Sequence, residues 1–144
     1  MHASNLQLSR YFVSDISVSA NRSFDPKKEV QLPLDAVDVN TECIPLDESK
    51  HRWQVTLRLL LQPKAEANAP YSCKIEMVGF FVVAENIPND KTAFYVQTNG
   101  TSVLYSTARE VIRAITSQGP FRPVLLPTVS FYEPTKKEPP AEEK

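Results

Sequence analysis

The sequence predicts an α+β domain, a four-stranded antiparallel sheet followed by one long amphipathic helix. Two observations carry this. Trp53, Val55, Leu57, Leu59 and Leu61 alternate mostly with polar residues, as do Tyr71, Cys73, Ile75 and Met77 at the start of the run that continues through Gly79, Phe81 and Val83, and a period of two is the mark of a strand with one buried face. Later, Leu104, Ala108, Val111, Ile112 and Ile115 recur at helical spacing, lining one side of an α-helix. Strands first and a helix after them is an α+β order.

Taken in chain order, the first strand is expected over residues 6–20, with a pattern that changes phase. Leu6 and Leu8 are even, Tyr11 and Val13 odd, Ile16 and Val18 even again. Such slips predict β-bulges, or a strand meeting protein on both faces. A connection over 21–28 leads to Val30, Leu32 and Leu34, read as a second strand. Pro33 inside that run removes a ladder donor and places it at a sheet edge. Residues 43–50 read as a loop. The third strand follows from Trp53, a polar turn over 63–70, and then the fourth strand. Its later half, Val78, Phe80 and Val82 beside Gly79, Phe81 and Val83, is apolar on both faces and needs cover on both.

Residues 85–100 read as a polar crossover loop with an apolar centre at Phe94 and Tyr95. Ser102 is expected to cap the helix, and Gly119-Pro120 to stop it, the glycine in the left-handed conformation. Pro120, Pro123 and Pro127 then impose an extended segment through Phe131. A single helix cannot cover the whole sheet, and the leftover apolar area predicts an oligomer.

Composition bounds the function. The 144 residues are 42% hydrophobic with a net charge of −1, enough for one packed core and without the basic surface that nucleic acid demands. No stretch is long and apolar enough to enter a membrane, and no secretion signal is evident at the N-terminus, so a cytoplasmic protein with free cysteines is expected. With three glycines there is no phosphate-cradling loop. His2 and His51 have no partners at metal-ligand spacing, and no enzyme, metal or cofactor is expected.

Leu104-Tyr105 with Ala108-Arg109-Glu110, then Ser117-x-Gly119-x-Phe121, then Leu125-x-Pro127-x-Val129-x-Phe131 form a set. With Tyr11, Asp15-Ile16-Ser17, Glu29-Val30-x-Leu32-x-Leu34-Asp35, Cys73, Gly79 and Phe81, this set resembles the SecB-type protein-export chaperones over residues 6–131. The resemblance implies a SecB-like domain over 1–132 that assembles through its sheets and helices into a homotetramer, a dimer of dimers. Residues near the subunit contacts would be Cys73, Ile75, Met77, Val111 and Ile115. It implies a nonpolar client groove drawing on Val30, Leu32, Leu34, Phe94, Tyr95, Tyr105, Phe121, Leu125 and Leu126. Asp15 matches an acidic position that contacts the motor ATPase of the export translocase, while Ser19 and Lys74 stand where further acidic residues are usual and Ser72 stands for a leucine. Residues 133–144, rich in Pro, Lys and Glu, read as a disordered tail in place of the family's second helix.

Two readings follow from the resemblance. One is an ATP-independent holdase for unfolded or export-bound polypeptides. The other is a solitary SecB-like protein dedicated to one partner, such as an antitoxin, without translocase docking.

Overall fold

The computed structural model describes residues 1–31 and 36–131. Four antiparallel strands, β1 (Leu6–Ala20), β2 (Val37–Pro45), β3 (Arg52–Leu61) and β4 (Tyr71–Val83), form one sheet in the order β1-β4-β3-β2. Strands β2 to β4 follow one another as hairpins, and β1 returns beside β4, a Greek key.

The phase slips in β1 are bulges. Leu8 pairs with Phe81 and Arg10 with Phe80, leaving Ser9 as an extra residue, and Val13 pairs with Met77 and Asp15 with Glu76, leaving Ser14 extra. Both serines turn their hydroxyls back into the sheet, Ser9 to the Phe80 carbonyl at 3.0 Å and Ser14 to the Glu76 carboxylate at 2.9 Å.

The second strand is displaced from its expected place. It runs over Val37–Pro45, and Cys43, expected in a loop, lies within it. Its inward residues Val37, Val39, Thr41 and Cys43 alternate with Asp38, Asn40 and Glu42, too little apolar character to compete with the Val30 run in sequence. Val30 lies outside any strand, and Gln31 donates its amide to the Ala67 carbonyl at 2.8 Å. Leu32 and Leu34 lie outside the described residues.

The helix is longer than expected. α1 (Thr92–Tyr95) passes through a π-helical turn at Val96–Gly100 into α2 (Thr101–Thr116), so half of the predicted crossover loop is helical. Ser102 is interior and caps nothing; its hydroxyl donates to the Thr98 carbonyl at 2.8 Å. Thr98, Thr101, Thr107 and Thr116 make the same backward bond to the residue four earlier, which satisfies hydroxyls that otherwise compete with helix backbone. Residues Leu104, Tyr105, Ala108 and Ile112 are buried against the sheet, whereas Ile115 is 39% exposed. The buried stripe is thus rotated one residue from the expected one.

The sheet's inner face supplies the rest of the core: Val55, Leu57, Leu59, Ile75, Met77 and Phe81 are each at most 1% exposed. Gly79 lies where α2 presses closest, and a Cβ there would stand 3.0 Å from Leu104 Cδ1. Cys73, Ile75 and Met77, expected near subunit contacts, are enclosed by the chain's own helix and cannot supply a subunit surface.

Candidate functional site

Beyond α2 the chain runs extended from Pro120 to Phe131 and is pinned to the helix and sheet by side chains. Tyr71 on β4 receives the Phe121 amide on its hydroxyl at 3.1 Å. The buried Thr116 hydroxyl accepts the Val124 amide at 2.9 Å, Tyr105 donates to the Pro127 carbonyl at 2.6 Å, and Arg109 donates to the Thr128 hydroxyl at 3.0 Å. Prolines make this strap unable to join a sheet, so side chains do the work of a ladder. Val124 and Leu126 turn inward and Leu125 between them is 68% exposed.

Gly119 is required by proximity and not by its backbone angle, which is not left-handed. A Cβ there would lie 2.0 Å from the Tyr71 hydroxyl. The same hydroxyl holds Phe121, so the tyrosine sets both the turn and the start of the strap.

A second segment, residues 21–31, comes to the strap from the other side. It is docked on the β3–β4 connection: Asn21 donates its amide to the Pro70 carbonyl, and Asn68 and Asp25 exchange two bonds, Asp25 N–H to Asn68 Oδ1 at 2.9 Å and Asn68 Nδ2 to the Asp25 carbonyl at 2.8 Å. Asn68 has a φ of 49°, a conformation asparagine tolerates better than most residues.

Between strap and docked segment lie two neighbouring recesses. One, of about 210 Å³, is lined by Val30, Leu61, Tyr71, Val124 and Leu125 with Arg122 at its margin. The other is lined by Phe24, Pro26, Pro120, Phe121 and Arg122, with Phe24 and Phe121 ring centroids 4.8 Å apart. Together they form a shallow, mainly apolar groove.

The profile of the preprotein translocase subunit SecB family matches residues 1–136. The chain belongs to the SecB family. It is 28% identical over 126 residues to the protein-export protein SecB of Acidithiobacillus ferrooxidans, covering 86% of this chain and 83% of that one. It is 29% identical over 126 residues to the SecB of Psychrobacter arcticus, covering 88% and 82%. The fold is similar to that of a Mycobacterium tuberculosis SecB-like chaperone solved with a peptide from an antitoxin, with a TM-score of 0.62 and 17% identity over 86% of this chain and 90% of that one. A Streptococcus agalactiae protein of unknown function has a TM-score of 0.53 and 13% identity, with 85% and 96% covered.

The SecB motif residues acquire physical roles here. Tyr105 and Arg109 hold the strap, and Gly119 admits Tyr71. Of the residues expected in the groove, Val30, Phe121 and Leu125 line the two recesses. Tyr105 and Leu126, 2% and 1% exposed, belong to the core instead: the strap covers Tyr105, and Leu126 turns inward from the strap itself. Burial raises the Tyr105 phenol above its ordinary value, against the nearby charge of Arg109. Phe94 and Tyr95 form an edge-on pair at 6.4 Å on α1 and line neither recess. Phe24 and Arg122 were missed; the ring lies in a stretch whose only sequence signal was that of a turn.

Asp15 lies on the outer face of the sheet with Ser19, Ser72 and Lys74. Its carboxylate is 3.7 Å from the Lys74 ammonium. Beside it Glu76 accepts from Ser14 and pairs with Arg58 at 2.8 Å, interactions that hold its carboxyl below the usual range. Neither cysteine forms a disulfide; desolvation pushes the Cys73 thiol up to about 11. Among the described residues no helix is long and apolar enough to cross a membrane.

Proposed function

We propose that this SecB-family chain is an ATP-independent holding chaperone that binds extended segments of nonnative or export-bound polypeptides. The observation that carries the reading is the apolar groove between the strap and the docked 21–31 segment, in a chain whose relatives are protein-export proteins. Burying one apolar side chain contributes about 1.5–3 kcal/mol before ordering costs. A few shallow contacts therefore give about micromolar affinity without sequence specificity. Binding several segments of one client at several grooves strengthens the hold, and binding the unfolded state opposes folding. Assembly into a homotetramer belongs to the same proposal, with exposed Ile115 and half-buried Val111 on α2 among the contact residues. So do Leu32 and Leu34 as groove residues, and Phe94 and Tyr95 as an apolar extension along the helix.

A second reading has its own support. The Mycobacterium tuberculosis neighbour holds an antitoxin peptide, and here Asp15, the proposed motor contact, has the Lys74 ammonium 3.7 Å from its carboxylate. A chaperone dedicated to one partner fits both facts.

Light scattering on a size-exclusion column, with and without a reduced, permanently unfolded polypeptide, tests the proposal. An oligomer that co-elutes with the unfolded chain without nucleotide is expected. A stable oligomer that retains no unfolded chain overturns the general holdase and leaves the dedicated reading.

A further inference from the structure

Arg122 stands at the junction of the two recesses. It is the one charged side chain among the described residues lining either of them. Its guanidinium carbon lies 5.9 Å from the Phe24 ring centroid, and the ion pairs among the described residues, Arg58–Glu76, Lys74–Asp15 and Arg113–Glu110, do not include it. Contact with an aromatic ring uses the face of a guanidinium and leaves its planar N–H edge for an acceptor, and a carboxylate matches that edge with two parallel bonds.

Apolar recesses select for size but not for charge, because their contacts have no direction and carry no sign. A cation between them, in no ion pair among the described residues, acts differently. It attracts a carboxylate arriving at one position of the bound segment and repels an ammonium arriving there. We infer that Arg122 is a specificity-determining residue of the groove, selecting extended segments that carry an aspartate or glutamate side chain between the apolar residues filling the two recesses. The inference rests on the client-groove reading above and adds a chemical class to it.

The test uses the full chain and three short fluorescent peptides, alike except for Glu, Gln or Lys between a leucine and a phenylalanine, with amidated C-termini so that the central side chain is the sole variable. Affinities are read by anisotropy at low salt. The Glu peptide is expected to bind about three- to fivefold more tightly than the Gln peptide, and the Lys peptide more weakly than either, the range an exposed ion pair supports. The preference shrinks as salt rises. Arg122→Gln is expected to bind the Glu, Gln and Lys peptides alike, whatever its affinity for them, and Arg122→Glu to reverse the ranking. Equal binding of all three peptides by the wild-type chain, or a ranking that survives Arg122→Gln, overturns the role of Arg122 and leaves the groove standing. If none of the three binds, the groove reading falls and this inference with it.

Discussion

The two faces of the sheet are built from similar residues and have opposite fates. On β4, Ile75 and Met77 are fully enclosed and Phe81 and Val83 are 1% exposed, while Val82 on the other face is 42% exposed. On the same outer face stand Phe12 on β1, Leu60 on β3 and Ile44 on β2, between 38% and 42% exposed. Arg10 lies across two rings of that face, its guanidinium 5.3 Å from the Phe80 ring and 5.9 Å from the Phe12 ring. The lesson is one of supply: a single helix and its strap cover a single face. Apolar side chains left on the other are a contact surface in waiting.

Truncation separates the faces most sharply. Leu57→Ala opens a cavity under the helix and is expected to lower stability by about 2–5 kcal/mol in urea unfolding. Leu60→Ala, three residues further along β3 and on the outer face, is expected to cost under about 1 kcal/mol. A large cost at Leu60 that grows with protein concentration would mean that the outer face is covered in an assembly.

Next in size is the strap. Thr116→Val keeps the shape and strands the Val124 amide, an expected loss of about 1–3 kcal/mol, visible as earlier proteolysis after the helix. Gly119→Ala forces the Tyr71 ring from its place, and a comparable loss is expected. An unchanged melting temperature in both variants would show that the strap does not depend on the inner face.

Alkaline titration probes the inner face without a cavity. The Cys73 thiol is raised from 9.0 to about 11 in the folded chain, so its neutral form is the one the fold accepts. Its contribution is fully present below pH 9 and is lost as pH rises from there through 11, on the order of 2–3 kcal/mol in all. The decline should be absent from Cys73→Ala. Cys43, half-buried on edge strand β2, is expected to react with a thiol reagent well before Cys73 in the native state. The smallest effect is expected from Glu76→Gln, which breaks the exposed pair with Arg58 and should be indistinguishable from wild type at high salt.

Much of this was legible from periodicity. The bulges at Ser9 and Ser14 fall where the alternation of β1 changes phase, and β3 and β4 lie where Trp53 and Tyr71 begin their runs. The SecB resemblance followed from motif residues whose spacing reflects the strap. The second strand was not legible, because Val37–Pro45 is an edge strand with half its side chains in water, while Val30, which mimics a strand, serves the groove. Nor was the helical turn at Val96–Gly100, since Asn99-Gly100 reads locally as a turn and is held helical only by packing, with Val96 fully buried.

Local alternation thus establishes three of the strands, the irregularities of the first and the helix, because backbone geometry imposes those periods on neighbouring residues, while the motif residues carry the family resemblance. It does not say which face will be covered. That Cys73, Ile75 and Met77 meet their own helix, that Tyr105 lies beneath the strap with Leu126 turned inward from it, and that Arg122 comes to stand beside Phe24 are matters of packing between distant segments. Burial is a property of pairs of segments, and a chain read one residue after another carries only half of each pair.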